Sequence, residues 1–263
     1  MEEPREPDQF WHPSTISSGC YRKAIYEFKG IPKSNPHDVR SSRVFRMGHI
    51  IHAFVQDAVM ADPLVVVFYP EIKIHSLRLR ITGHADGLVG IASDLESAIR
   101  LREWISQGWN PLTDDDPADP FITWLLLELK SKNSMAFKYV QTPAADHTEQ
   151  SFMYMKILRE EGGVSDDLSQ APVTIPPLGD RLTRALVSYI SKDDMLVGEH
   201  TVLFTQAKDD RLMAKLAELE DHVEEGTLPD RLPLVAKGKT AALGKDYRCT
   251  YCPWLALCWQ PGA

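Results

Sequence analysis

The chain has 263 residues, 43% of them apolar and 25% charged, with a formal net charge of −8 and a pI near 5.6. That length suits one large domain, or a domain with a small satellite, and the apolar share is ordinary for a globular protein. The acidic balance excludes a general nucleic-acid coat, and the longest apolar runs, at 64–68 and 124–127, exclude a membrane-spanning helix.

The N-terminus, Met1-Glu2-Glu3-Pro4, lacks the apolar stretch of a secretory signal, so a cytoplasmic protein with no membrane role is expected. Residues 1–13 read as a flexible tail. Ser14, Thr15, Ser17 and Ser18 offer N-cap oxygens ahead of a helix over 20–28, which Gly30 and Pro32 stop. Residues 33–42 read as a loop. A second helix is expected over 44–60, where Val44, Met47, Ile51, Val55 and Val59 recur at helical spacing and Gly48 and His52 share a face. Around it, residues 20–46 hold seven basic side chains (Arg22, Lys23, Lys29, Lys33, Arg40, Arg43, Arg46) against Glu27 and Asp38. Such a surplus suits phosphate contacts or a solvated helix face.

Strands follow at 65–69, 71–79 and 80–89, with Asp86 in or at the edge of the last. Residues 93–123 read as a partly mobile insertion holding a helix at 95–106 and a solvated acidic stretch, Asp114-Asp115-Asp116. The next strand, over residues 125–131, is an apolar run that ends in Glu128-Leu129-Lys130. Alternation along a strand puts Glu128 and Lys130 on one face and Leu127 and Leu129 on the other. A helix at 146–161 ends at Gly162-Gly163, and Gln150 and Tyr154 share one of its faces. Residues 164–180 read as a Pro-rich loop, followed by strands at 184–190 and 201–205. An amphipathic helix over 208–225 is lined by Leu212, Leu216, Leu219 and Val223. A linker with Lys237, Lys239 and Lys245 leads to the C-terminal cysteines. The order predicts an α/β fold with a mixed sheet flanked by helices, without internal repeat or nucleotide-binding glycine motif. Its parts are the tail, an N-terminal helical segment (14–46), a core (47–230) and a cysteine segment (231–263).

The chemistry-bearing residues stand in a fixed order. Asp86 and Glu128 are hard oxygen donors suited to Mg²⁺ or Mn²⁺, and His52 adds an imidazole that Mn²⁺ accepts more readily. Lys130 is placed to orient a water or stabilise an oxyanion, though a Glu-x-Lys pair alone is also a common strand-face ion pair. The four cysteines are Cys20 and the Cys-x2-Cys-x5-Cys run Cys249, Cys252 and Cys258. Structural disulfides are not expected in a cytoplasmic chain, and by spacing alone four thiolates suit zinc as well as an iron–sulfur cluster.

Taken together, Gly48-x3-His52, Gly83-x2-Asp86, Glu128-x-Lys130 and Gln150-x3-Tyr154, with one cysteine before and three after, resemble the RecB-like branch of the PD-(D/E)xK nucleases. The cysteines narrow the resemblance to its iron–sulfur members, the CRISPR-associated Cas-four-type exonucleases and their phage-encoded relatives. It spans residues 14 to 258. It implies a PD-(D/E)xK core with a cysteine-cluster cap joining the two ends of the chain. It implies metal ligation by His52, Asp86, Glu128 and the Leu129 carbonyl, and catalysis by Lys130 with Asp86, Glu128, Gln150 and Tyr154. It also implies a [4Fe–4S] cluster on Cys20, Cys249, Cys252 and Cys258. The activity implied is Mg²⁺- or Mn²⁺-dependent DNA exonuclease action on single strands or ends, in recombination, end processing or CRISPR spacer acquisition. DNA, a recombinase, an annealing protein or a CRISPR integrase are the implied partners, and a homo-oligomer is compatible. A non-catalytic iron–sulfur or zinc module that docks such a partner is the other reading. The long 93–123 segment departs from a tight hairpin at that point of the fold.

Overall fold

A computed structural model of the chain describes residues 9–36, 39–113, 122–166, 171–233 and 246–260. In chain order, α1 (Pro13–Ile16), α2 (Tyr21–Phe28) and α3 (Val39–Met60) lead into the antiparallel strands β1 (Val65–Ser76) and β2 (Ile81–Ala92). Next come α4 (Leu95–Ser106), β3 (Ile122–Lys132), α5 (Ser134–Phe137) and α6 (Ala145–Glu160). Short strands β4 (Gly163–Ser165) and β5 (Val173–Ile175) precede β6 (Arg184–Ser191), β7 (Val197–Leu203) and α7 (Gln206–Glu224). Two single-turn helices, α8 (Tyr247–Thr250) and α9 (Leu255–Cys258), finish the described chain.

The strands form one sheet in the order β5-β4-β1-β2-β3-β6-β7. Only β3 and β6 run parallel, because α6 carries the chain across the sheet between them; every other pair is antiparallel. The expected mixed α/β sheet flanked by helices is thus what forms. Its two faces bury different clusters. Ile72, Ile74, Ile81, Leu126, Val187 and Tyr189 face α2, α6 and α7 in the main core. Val89, Leu127, Leu129 and Ile190 face Ile51 of α3, with Val55 and Val59 packed alongside.

Helix α6 is buried continuously from Gln150 to Leu158. It lies between the sheet and the α1 and α7 helices, so no solvated stripe survives. Lys156, only 4% exposed, is tolerated there because Glu160 (2.7 Å) and Asp209 (2.8 Å) neutralise it. Leu212, Leu216 and Leu219 of α7 are buried as their periodicity predicts.

Several expectations need correction. The flexible tail does not reach residue 13: Trp11 is 1% exposed, and its amide and carbonyl bond to Arg80 O (2.6 Å) and Thr82 N (2.9 Å). Residues 1–8 lie outside the described residues. Helix α3 begins at Val39, inside the expected 33–42 loop. Val44 and Met47, which share the helical spacing of Ile51, Val55 and Val59, are 49% and 51% exposed, because α3 packs on the sheet only from Ile51 onward. Residues 164–180 are not wholly loop; β4 and β5 extend the sheet there. The described part of the 93–123 segment is docked rather than loose. Asp94 caps α4 at Ser97 N (2.7 Å), Ala98 and Leu101 pack on Ala92, and Arg181 holds the Pro111 and Leu112 carbonyls. The Asp114–Asp116 stretch and the three linker lysines lie outside the described residues.

Candidate functional site

The site forms where β2 and β3 part. Ala85 and Leu88 both face the main core, while Val89 faces the second cluster, a pattern that strict alternation forbids. The slip sits at Asp86. The β1–β2 ladder steps from Pro70–Gly87 to Ile72–Ala85 without pairing Glu71 and Asp86, and Glu71 adopts a left-handed φ of 48°. Gln56 of α3 pins this kink, donating to Asp86 O (3.1 Å) and Glu71 Oε1 (3.2 Å). The β2–β3 ladder ends at Gly87–Leu127, so Asp86 and Glu128 are the next opposed residues. The Leu129 amide, past the end of that ladder, donates instead to Asp86 Oδ2 at 2.6 Å.

The predicted residues converge on this divergence. His52 reaches down from α3 with Nδ1 3.3 Å from Asp86 Oδ1. Glu128, 2% exposed, takes Lys130 Nζ at 2.5 Å on Oε1. Lys130 also donates to Gln150 Oε1 (3.2 Å), and Gln150 Nε2 donates to Tyr154 OH (3.1 Å). One chain of contacts therefore runs from the Glu128 carboxylate through Lys130 to the buried face of α6. Gly48 lies one turn before His52, above β3; a methyl there would stand 3.7 Å from Ser131 Oγ, an ordinary contact, so space alone does not demand the glycine.

The electrostatics follow from burying two carboxylates close together. Burial, aided by the Asp86 charge, raises the Glu128 pKa to about 7 against the opposing pull of Lys130 and His52. Burial works against the His52 cation, but the hydrogen bond and charge of Asp86 outweigh it and raise its pKa. Lys130 behaves likewise: burial disfavours its charge, and Glu128 more than restores it. Tyr154 is pushed up by burial and by Glu128, so it stays a neutral hydroxyl. Glu128 Oε2 is buried with no hydrogen-bond partner. An orphaned carboxylate oxygen in such a place is costly unless something cationic completes it.

Four further histidines, His147, His49, His75 and His84, have no place in the motifs above. The last three are exposed. His147 is not: its Nδ1 lies 2.7 Å from Tyr189 OH, which also accepts the Ala144 amide (2.9 Å), and Tyr189 is the in-register neighbour of Lys130. Its position three residues before Gln150 on α6 was the available signal. Burial, then the Lys130 charge, depress its pKa to about 4. An unfolded histidine titrates near 6.5, so between pH 6.5 and 4 the unfolded chain binds a proton that the folded one refuses. The His147 contribution to stability is therefore full above pH 6.5 and falls, by on the order of 3 kcal/mol, as pH drops through that window. In urea unfolding, the stability difference between wild type and His147→Gln is expected to move against the wild type as pH falls from 6.5 to 4.

The four cysteines meet between α2 and the C-terminal segment. Cys20 is the N-cap of α2, and it lines one cavity with Cys249, Cys252 and Cys258. Burial raises the pKa of Cys20, Cys249 and Cys252, and neighbouring thiols add to the rise in each. The terminal segments are also joined directly. Trp254 Nε1 donates to Ile31 O (2.8 Å), Asn35 N to Pro253 O (2.7 Å), and Leu257 N to Ser34 Oγ (3.0 Å). Among the described residues, no three His, Cys, Asp or Glu side chains stand in finished metal-coordinating geometry. No helix among them is long and apolar enough to cross a membrane.

No family model and no curated protein matches the chain. Among solved structures it is similar to one described as "Crystal structure of SSO0001", at 12% identity and a TM-score of 0.46, over 97% of this chain and 88% of that one.

Proposed function

We propose that the chain is a metal-dependent DNA nuclease of the RecB-like PD-(D/E)xK type. In this reading it acts as an exonuclease on single-stranded DNA or DNA ends and carries a [4Fe–4S] cluster on its four cysteines. The observation that supports it most is Glu128: a buried carboxylate, opposed to Asp86 where two strands separate, with Oε2 left without a partner. The donor set fits Mg²⁺ or Mn²⁺, with two carboxylates, the His52 imidazole and the Leu129 backbone fixed beside them by its bond to Asp86. A divalent cation bound there supplies polarisation of a phosphodiester and neutralisation of the charge that builds during its hydrolysis.

The residues themselves divide the work. Asp86 and Glu128 present the anionic oxygens, and the Asp86 bond to His52 holds the imidazole in place. Lys130 keeps its proton and presents an ammonium at the scissile position, where it orients the attacking water or meets developing negative charge. Gln150, itself fixed by Tyr154, gives Lys130 a second acceptor beside Glu128 and so fixes the direction of its ammonium. Four thiols around one cavity suit a cubane cluster, which would staple α2 to the C-terminal segment.

Calorimetric titration with Mn²⁺ tests the metal centre apart from turnover. Asp86→Asn is expected to weaken binding at least about tenfold while the fold persists; equal affinity in the two proteins counts against ligation by these carboxylates.

A further inference from the structure

Helix α3 shows two apolar stripes where one is needed. Ile51, Val55 and Val59 pack on the sheet. On the solvent-facing side Met47 (51%), Ile50 (64%) and Phe54 (60%) stand exposed in a row. With Arg43 before them and Asp57 after, the spacing runs four, three, four, three, the repeat of a helix that pairs with another helix. So large an apolar row on a surface marks an interaction site.

Charge indicates the occupant. Arg40, Arg43 and Arg46 fill the N-terminal half of α3, and the first acidic residue of the helix is Asp57. Cations near a helix N-terminus oppose the helix dipole, so these arginines are misplaced for the stability of their own helix. They are well placed for the C-terminal half of another copy laid antiparallel. A two-fold axis at Ile50 sets Ile50 against itself, Met47 beside the second copy's Phe54, and Arg43 opposite the second copy's Asp57. Arg43 and Asp57 are both exposed, and no ion pair among the described residues involves either. The stripe is thus complementary to itself in apolar shape and in charge.

We infer that the chain forms a two-fold dimer by antiparallel pairing of α3 through Met47, Ile50 and Phe54, sealed by reciprocal Arg43–Asp57 ion pairs. His52 points to the sheet, away from this seam, so both candidate sites stay open while the helix that carries each histidine is braced. The inference does not depend on the proposed chemistry.

Sedimentation velocity on the full chain over a concentration series tests it. The wild type is expected to dimerise. Ile50→Asp, which meets its own copy and so acts twice, is expected to raise the dissociation constant on the order of a hundredfold or more. Arg43→Glu is expected to weaken the dimer, and the double variant Arg43→Glu with Asp57→Arg to restore it. Ile50→Cys is expected to cross-link to itself under mild oxidation that leaves wild type uncrosslinked. All three positions are exposed, and circular dichroism verifies that each variant is folded. A wild type that stays monomeric, a dimer unmoved by Ile50→Asp, or a charge reversal without rescue overturns the pairing.

Discussion

Lys130→Met is expected to lower DNA cleavage by about two to four orders of magnitude while leaving a folded chain. Methionine keeps most of the aliphatic stem, so the loss falls on the ammonium. In the wild type that ammonium sits 2.5 Å from Glu128 Oε1 and 3.2 Å from Gln150 Oε1. Removing it leaves a buried carboxylate without its counter-ion, and Glu128 then holds its proton to still higher pH. The variant is therefore expected to lose stability, on the order of 1–3 kcal/mol at neutral pH, and to regain part of it on acidification. Cleavage within about threefold of wild type, in a variant folded by circular dichroism, removes Lys130 from the chemistry.

The second large effect is structural. Cys252→Ser removes one of the four thiols around the shared cavity and is expected to strip the iron of the proposed cluster. With the cluster gone, the α2–C-terminal junction rests on a few hydrogen bonds, chiefly Trp254 to Ile31 O and Asn35 to Pro253 O. A drop in thermal midpoint on the order of 10 °C is expected, with solubility lost before chemistry, because the carboxylate site is carried by different elements. Wild-type protein prepared without oxygen should be brown and hold iron. Colourless protein with stoichiometric zinc overturns the cluster, and an unchanged melting point in Cys252→Ser overturns the staple.

What could be read in the sequence is what depends on local periodicity. Glu128 and Lys130 share a face because strand alternation is a property of three consecutive residues. Gln150 and Tyr154 share a face because helical spacing is equally local, and both pairs form as expected. The long helices α4, α6 and α7 were legible to within two residues for the same reason. The kink that turns Asp86 toward Leu129 was not, since it depends on how Glu71 on a neighbouring strand leaves the ladder in a left-handed conformation. Nor was the burial of Trp11, which depends on a bridge to β2, or the strands β4 and β5, whose three-residue lengths leave no period to detect. His147 was passed over because its partner, Tyr189, lies on a strand 42 residues away. The exposure of Val44 and Met47 was equally hidden, because a periodic stripe says which residues share a face, not where the sheet beneath them ends.

Cleavage of end-labelled single-stranded DNA by wild type and by Glu128→Ala, each with and without Mn²⁺, bears most directly on the proposed metal centre at Asp86 and Glu128. Cutting by wild type that needs Mn²⁺ and disappears in Glu128→Ala is the expected result. Cutting by Glu128→Ala at the wild-type rate, or by wild type with every divalent ion chelated, contradicts it.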